Sequence, residues 1–174
     1  MEKKKMLIWV GMILVVMALF ASYGLKDRKK TAEYDPSVLV PVEGNGITAQ
    51  LPAGVKTERK KNVDFYAMWQ DGVLICGQDK FDDLKEGETL PADLNEYTVS
   101  CIKMAGVDTE PRQNEYGETV FDYSVPTGTA PLYYYVVCKE GTDCYWICSF
   151  VCEFGHAEQN QENFAYWSSL LEVE

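Results

Sequence analysis

Six cysteines, at positions 76, 101, 138, 144, 148 and 152, are the residues of this 174-residue chain best equipped for chemistry. Thiols can bridge, hold a soft metal or act as nucleophiles. Cys144, Cys148 and Cys152 recur at intervals of four, alternating with Trp146, Phe150 and Phe154. On a strand these residues share one face, because side chains recur every two positions. Residues four apart on a strand are about 13 Å from each other, whereas a disulfide needs Cα atoms within about 7 Å. These three therefore cannot pair among themselves. The same separation keeps them off a single zinc ion, whose bonds to sulfur are about 2.3 Å long. Only a helix would gather the three thiols, and Tyr145-Trp146-Ile147 favours a strand. Two readings stay open: small buried thiols spacing out large aromatics, or at least one disulfide to another element.

The other chemically capable residues point to less. His156 follows Cys152 by four, but a lone histidine at a strand-to-helix junction suits a cap or the surface. Asp79, Asp82, Asp83, Glu86 and Glu88 make an acidic loop. Its spacing is not that of an EF-hand, and acids ahead of a helix already satisfy the helix dipole. Tyr133-Tyr134-Tyr135 puts aromatic rings on both faces of a strand; Tyr133 and Tyr135, with Asp79, Asp82 and Asp83, are the candidate binding surface. Gly44-Asn45-Gly46-Ile47-Thr48-Ala49 matches the letters of a dinucleotide fingerprint, yet it precedes a strand instead of joining a strand to a helix. No phosphate loop, nucleophile elbow or His-Glu-x-x-His is present. No catalytic residue, cofactor or metal is assigned.

The elements that must position these residues follow from periodicity and punctuation. Ile47 to Leu51 alternates and stops at Pro52-Ala53-Gly54. Val63 to Trp69 and Val73 to Gln78 flank Asp71-Gly72, a hairpin signal. A helix opens at Thr89-Leu90-Pro91, since proline is tolerated in a first turn. It carries Leu94, Tyr97, Cys101 and Met104 on one face and closes at Gly106. Strands follow at 107–115, weakened by Pro111, then at Thr119 to Val125, Leu132 to Cys138 and Cys144 to Phe154. A last helix over Asn163 to Val173 aligns Phe164, Trp167, Leu170 and Leu171. Consecutive hairpins with segregated helices predict an α+β fold with an antiparallel sheet. The face bearing Cys101 should cover the strand face bearing Cys144, Cys148 and Cys152, with Cys101 against Cys148.

Ahead of this domain, Met6 to Gly24 is a run of 19 residues without a charge, between Lys3-Lys4-Lys5 and Lys26-Asp27-Arg28-Lys29-Lys30. About 20 apolar residues span a bilayer as a helix. The division is a basic tail at 1–5, a transmembrane signal anchor at 6–24, a flexible tether at 25–46 and an extracytoplasmic domain at 47–174. Position in the chain favours export, whereas basic residues on the two sides nearly balance, which leaves a cytoplasm-facing orientation open. Cleavage after Gly24 also fits the small-residue rule. Beyond residue 30 the chain holds nine basic and 25 acidic residues, a net charge of −16. Such a domain has no footprint for nucleic acid.

The order of elements carries a resemblance. An Ile-x-x-x-Leu-Pro opening, Ile47 to Pro52, leads into a hairpin. A helix beginning Thr89-Leu90 and carrying Tyr97 follows, then antiparallel strands, then a helix ending Trp167-Ser168-Ser169-Leu170. This resembles the PsbP/Mog-type α/β/α sandwich of small bacterial secreted proteins and lipoproteins. The resemblance implies a binding or assembly subunit instead of an enzyme, with no shared catalytic set to carry over. Many bacterial members have a lipobox; here no cysteine follows the apolar run. The expectation is thus a non-catalytic, single-pass membrane-anchored domain that binds a protein or cell-envelope component. An envelope enzyme using an Asp/Glu pair and a cytoplasm-facing tethered adaptor are the alternatives.

Overall fold

The computed structural model describes residues 35–83, 90–127 and 130–174, with Asp83 described by its backbone alone. The basic tail, the apolar run 6–24 and the first part of the expected tether lie outside these residues. Among the described residues, no helix is long and apolar enough to cross a membrane.

The chain forms strands β1 (Leu39–Gly44), β2 (Ile47–Pro52), β3 (Lys56–Thr57), β4 (Phe65–Trp69) and β5 (Gly72–Lys80), then helix α1 (Leu94–Ala105). Strands β6 (Arg112–Gln113), β7 (Thr119–Val125), β8 (Leu132–Glu140) and β9 (Cys144–Glu153) follow, then α2 (Ala157–Ser169) and β10 (Glu172–Val173). Seven strands make one sheet in the order β3-β4-β5-β9-β8-β7-β6, every pairing antiparallel. A small antiparallel sheet, β1-β2-β10, accompanies it. The α+β expectation holds.

The central strands are buried on both faces, which gives the sheet two cores. One gathers Leu74, Cys76, Tyr133, Tyr135, Trp146, Cys148 and Phe150 under β2 and α2, through Ile47, Leu51, Phe164 and Trp167. The other gathers Ile75, Phe121, Tyr134, Val136, Cys138, Tyr145 and Ile147 under α1, through Tyr97, Cys101 and Ile102. Helices thus lie on opposite faces of the large sheet.

Residues 39–46 are not tether. Asn45 and Gly46 both take positive φ, 48° and 78°, the backbone of a two-residue hairpin turn that an Asn-Gly pair favours. The letters that mimic a nucleotide fingerprint are this turn joining β1 to β2. Pro41 lies in β1, at the edge of the small sheet, where a missing N–H is tolerated.

The β4–β5 turn consists of Gln70 and Asp71, and Gly72 already pairs with Trp69. A Cβ on Gly72 would stand 2.8 Å from the Trp69 ring and 2.8 Å from the Val151 carbonyl oxygen, so the glycine serves close packing. Helix α1 starts later than Pro91 suggests. Asp93 is its N-cap, its Oδ1 accepting from the Glu96 amide at 2.8 Å, while Glu96 Oε2 accepts from the Ala92 amide at 2.6 Å. Gly106 closes the helix at φ 67°, as expected.

The final helix begins six residues before Asn163 and ends at Ser169. Its first turns are polar, so apolar spacing alone hides them. Asn160 is buried there and donates to the His156 carbonyl at 3.1 Å. After the helix, β10 pairs Glu172 with Thr48 and Val173 with Ile47.

Candidate functional site

All six cysteines are buried and none is bridged. Cys144, Cys148 and Cys152 do share a face with Trp146 and Phe150, but Phe154 belongs to a turn and is 51% exposed. The helix over that face is α2, not α1. Cys101 therefore does not meet Cys148: the two belong to opposite faces of the sheet. A strand apolar on both sides tells which residues share a face, but not which helix covers it. Cys101 instead shares its buried cluster with Cys138 of β8, and Cys76 stands opposite Cys148 in the strand register.

Tyr133 and Tyr135 are 5% and 1% exposed, so they form core and not an open binding surface. The Tyr133 hydroxyl donates to Asp122 Oδ2 at 3.3 Å, and Asp122 Oδ1 is paired with Arg112 at 2.7 Å. Asp79 and Asp82 are placed separately, and the Asp83 side chain lies outside what is described. Asp79 Oδ2 accepts from the Tyr97 hydroxyl at 2.9 Å, and Asp82 is exposed in the short turn Phe81–Asp83. Among the described residues no group of His, Cys, Asp and Glu is arranged to hold a metal. Glu86 and Glu88 lie outside them.

What the sequence does not mark is a surface built by the β6–β7 hairpin and α2. Asn114 organises the hairpin: its Oδ1 accepts from the amides of Tyr116 and Glu118, at 3.0 and 2.9 Å. Its Nδ2 donates to Glu118 Oε2 and to the Tyr135 hydroxyl, both at 3.0 Å. Glu118 is the hub. It pairs with Lys139 Nζ at 2.6 Å and accepts from Ser168 Oγ of α2 at 2.5 Å. These bonds fix the hairpin to both β8 and α2.

The consequence is visible at the hairpin tip. Tyr116 and Tyr166 lie with ring centroids 6.2 Å apart, tilted by 47°, and are 47% and 45% exposed. The Tyr116 phenol is held above its ordinary range by desolvation first, then by the nearby Glu115, Tyr166 and Glu162. Two open aromatic rings flanked by carboxylates suit a cation, which is attracted to the ring face as well as to the acids. The spacing of Tyr116 and Tyr166, in different elements 50 residues apart, gave no signal in the sequence. A separate depression of about 410 Å³ is lined in part by Cys138, Glu118, Lys139 and Glu172. Its most enclosed carboxylate, Glu118, is already engaged by Lys139, Ser168 and Asn114.

Buried titratable groups set an alkaline limit. Burial pushes the Cys152 thiol up to about 12 from 9.0, and the Tyr134 phenol up to about 12 from 10.0. Burial also raises Cys76 and Cys101 well above 9.0. The folded chain thus keeps protons that the unfolded chain releases above pH 9. That stability contribution is complete below about pH 9 and is lost as pH rises towards 12. Under reducing conditions, urea unfolding should show a flat midpoint below about pH 9 and a falling one above it. An unchanged midpoint at about pH 10.5 would contradict the burial of these thiols.

No family model and no curated protein matches the chain. Solved structures do. The cyanobacterial PsbP (CyanoP) of Synechocystis sp. PCC 6803 aligns with a TM-score of 0.52 at 12% identity, covering 86% of this chain and 99% of that one. The Saccharomyces cerevisiae Ran-binding protein Mog1p aligns with a TM-score of 0.50 at 12% identity, covering 81% of this chain and 96% of that one. At such identities the likeness concerns the fold, and the fold of this chain is PsbP/Mog-like.

Proposed function

We propose that this chain is a non-catalytic binding domain, held at the cell membrane by residues 6–24 and placed outside the cytoplasm, which captures a protein partner through Tyr116 and Tyr166. The observation that carries the reading is the aromatic pair itself. The domain buries nearly all its other rings, yet it fixes these two half-open beside Glu115 and Glu162. Hydrogen bonds through Asn114 and Glu118 hold the hairpin in advance, so little ordering entropy is lost on binding. With a net charge of −16 beyond residue 30, the domain favours a partner segment rich in Lys or Arg.

Membrane attachment is supported by the 19 uncharged residues between basic flanks. Mog1p, which shares the fold, is described as Ran-binding; that supports protein binding as a use of this scaffold. Carboxylate catalysis has less support, since Glu118, the enclosed acid beside the 410 Å³ depression, is neutralised by Lys139.

The test compares the full-length chain with the double variant Tyr116→Ala/Tyr166→Ala in affinity capture from solubilised membranes. Both rings are half exposed, so the variant should unfold at the same temperature as the parent. The expected result is a partner retained by the parent and lost by the variant. Identical captures from both, with unfolding unchanged, would remove the aromatic pair from the function.

A further inference from the structure

The placement of the cysteines carries a second conclusion, separate from the tyrosine surface. Cys76 of β5 and Cys148 of β9 are directly opposed in the antiparallel register. Directly opposed residues project from the same face with Cα atoms about 4.5–5.5 Å apart, within the range of about 4.4–6.8 Å that a disulfide occupies. On the other face of the sheet, Cys101 of α1 packs in the same buried cluster as Cys138 of β8, whose thiol is close enough to perturb that of Cys101. Cys144 and Cys152 have no such partner. Cys152 stands opposite Gly72 and Tyr133, and Cys144 opposite Lys80.

We infer that four of the six cysteines form two nested disulfides, Cys76–Cys148 and Cys101–Cys138, when the chain folds in an oxidising compartment, and that Cys144 and Cys152 stay as thiols. The first bond ties together the two central strands β5 and β9. The second ties α1 to the sheet. Each forms by thiol–disulfide exchange with a small disulfide such as oxidised glutathione. Two S–H bonds are lost and one S–S bond is made, two electrons reduce the oxidant's disulfide to two thiols, and the protons end on those thiols. All four sulfurs are buried, so exchange precedes the final closure of the core. In the cell this rests on the extracytoplasmic placement proposed above; in the test tube it rests on the fold alone.

The experiment refolds the reduced full-length chain in detergent with a mixture of oxidised and reduced glutathione. Free thiols are then trapped with an alkylating reagent under denaturing conditions, and the peptides are mapped by mass spectrometry without reduction. The expected map contains the 76–148 and 101–138 linkages, with alkyl groups on Cys144 and Cys152. A reductant should lower the unfolding temperature of that product. A map dominated by other linkages, such as 101–148, or a chain with all six thiols alkylated, would overturn the inference. The same map made on the chain trapped directly from cells separates the two proposals. Both linkages in the refolded chain and none in the cellular one would uphold the pairing and contradict the extracytoplasmic placement.

Discussion

Trp167→Ala should lower the folding stability by about 3–5 kcal/mol, the usual cost of emptying a large aromatic site in a core. Trp167 is 1% exposed and meets Trp69 edge-on at 5.5 Å and Phe164 at 5.7 Å. Those three rings close the sheet face that carries Cys148, Phe150 and Cys152. The surrounding side chains are fixed to strands on one side and to α2 on the other, which limits how far the site can collapse. Urea unfolding of the parent and the variant measures the difference directly. A loss below about 1 kcal/mol would mean that α2 is not the cover of this face.

Glu118→Ala should be the second most damaging change, by about 3 kcal/mol, because it strands a partly buried charge. The Lys139 side chain is 19% exposed and that of Glu118 12%, and their ion pair is 2.6 Å long. Ser168 and Asn114 lose an acceptor in the same substitution. The pair itself is not the source of the stability: replacing both residues by apolar ones, Glu118→Leu with Lys139→Met, should recover most of the loss. Chemical unfolding of the single and double variants distinguishes these cases. A double variant as unstable as the single one would show that the hydrogen bonds to Asn114 and Ser168 matter more than the charge. The single variant should also weaken partner capture, since Glu118 secures the hairpin that presents Tyr116.

The strands from 119 to 153 were legible in the sequence because alternation, aromatic content and turns agreed there. Gly106 was legible because the chain needs a left-handed residue where a helix stops. Strand β1 was not, because Pro41 and the two glycines read as punctuation, although Asn45-Gly46 is itself a hairpin turn. The start of α2 escaped because its first turns are polar, and β10 because its two residues continue an apolar spacing that reads as helix. The same limit governed the cysteines. Period-two spacing grouped Cys144, Cys148 and Cys152 correctly, but the partner Cys76 comes from strand register and the pairing of Cys101 with Cys138 from the docking of α1 on the sheet, neither of which a local pattern encodes. The tyrosine surface was invisible for a similar reason: Tyr116 and Tyr166 meet only after the β6–β7 hairpin docks on α2.

Photo-crosslinking from position 166 in intact cells tests membrane attachment, orientation and surface together. A photoreactive phenylalanine analogue in place of Tyr166, in the full-length chain, should give one discrete adduct on irradiation. That adduct should sediment with the membranes and be degraded by protease added to unbroken cells. No adduct at position 166, or an adduct that protease reaches only after the cells are broken, would contradict a membrane-held domain binding its partner outside the cytoplasm through this pair of rings.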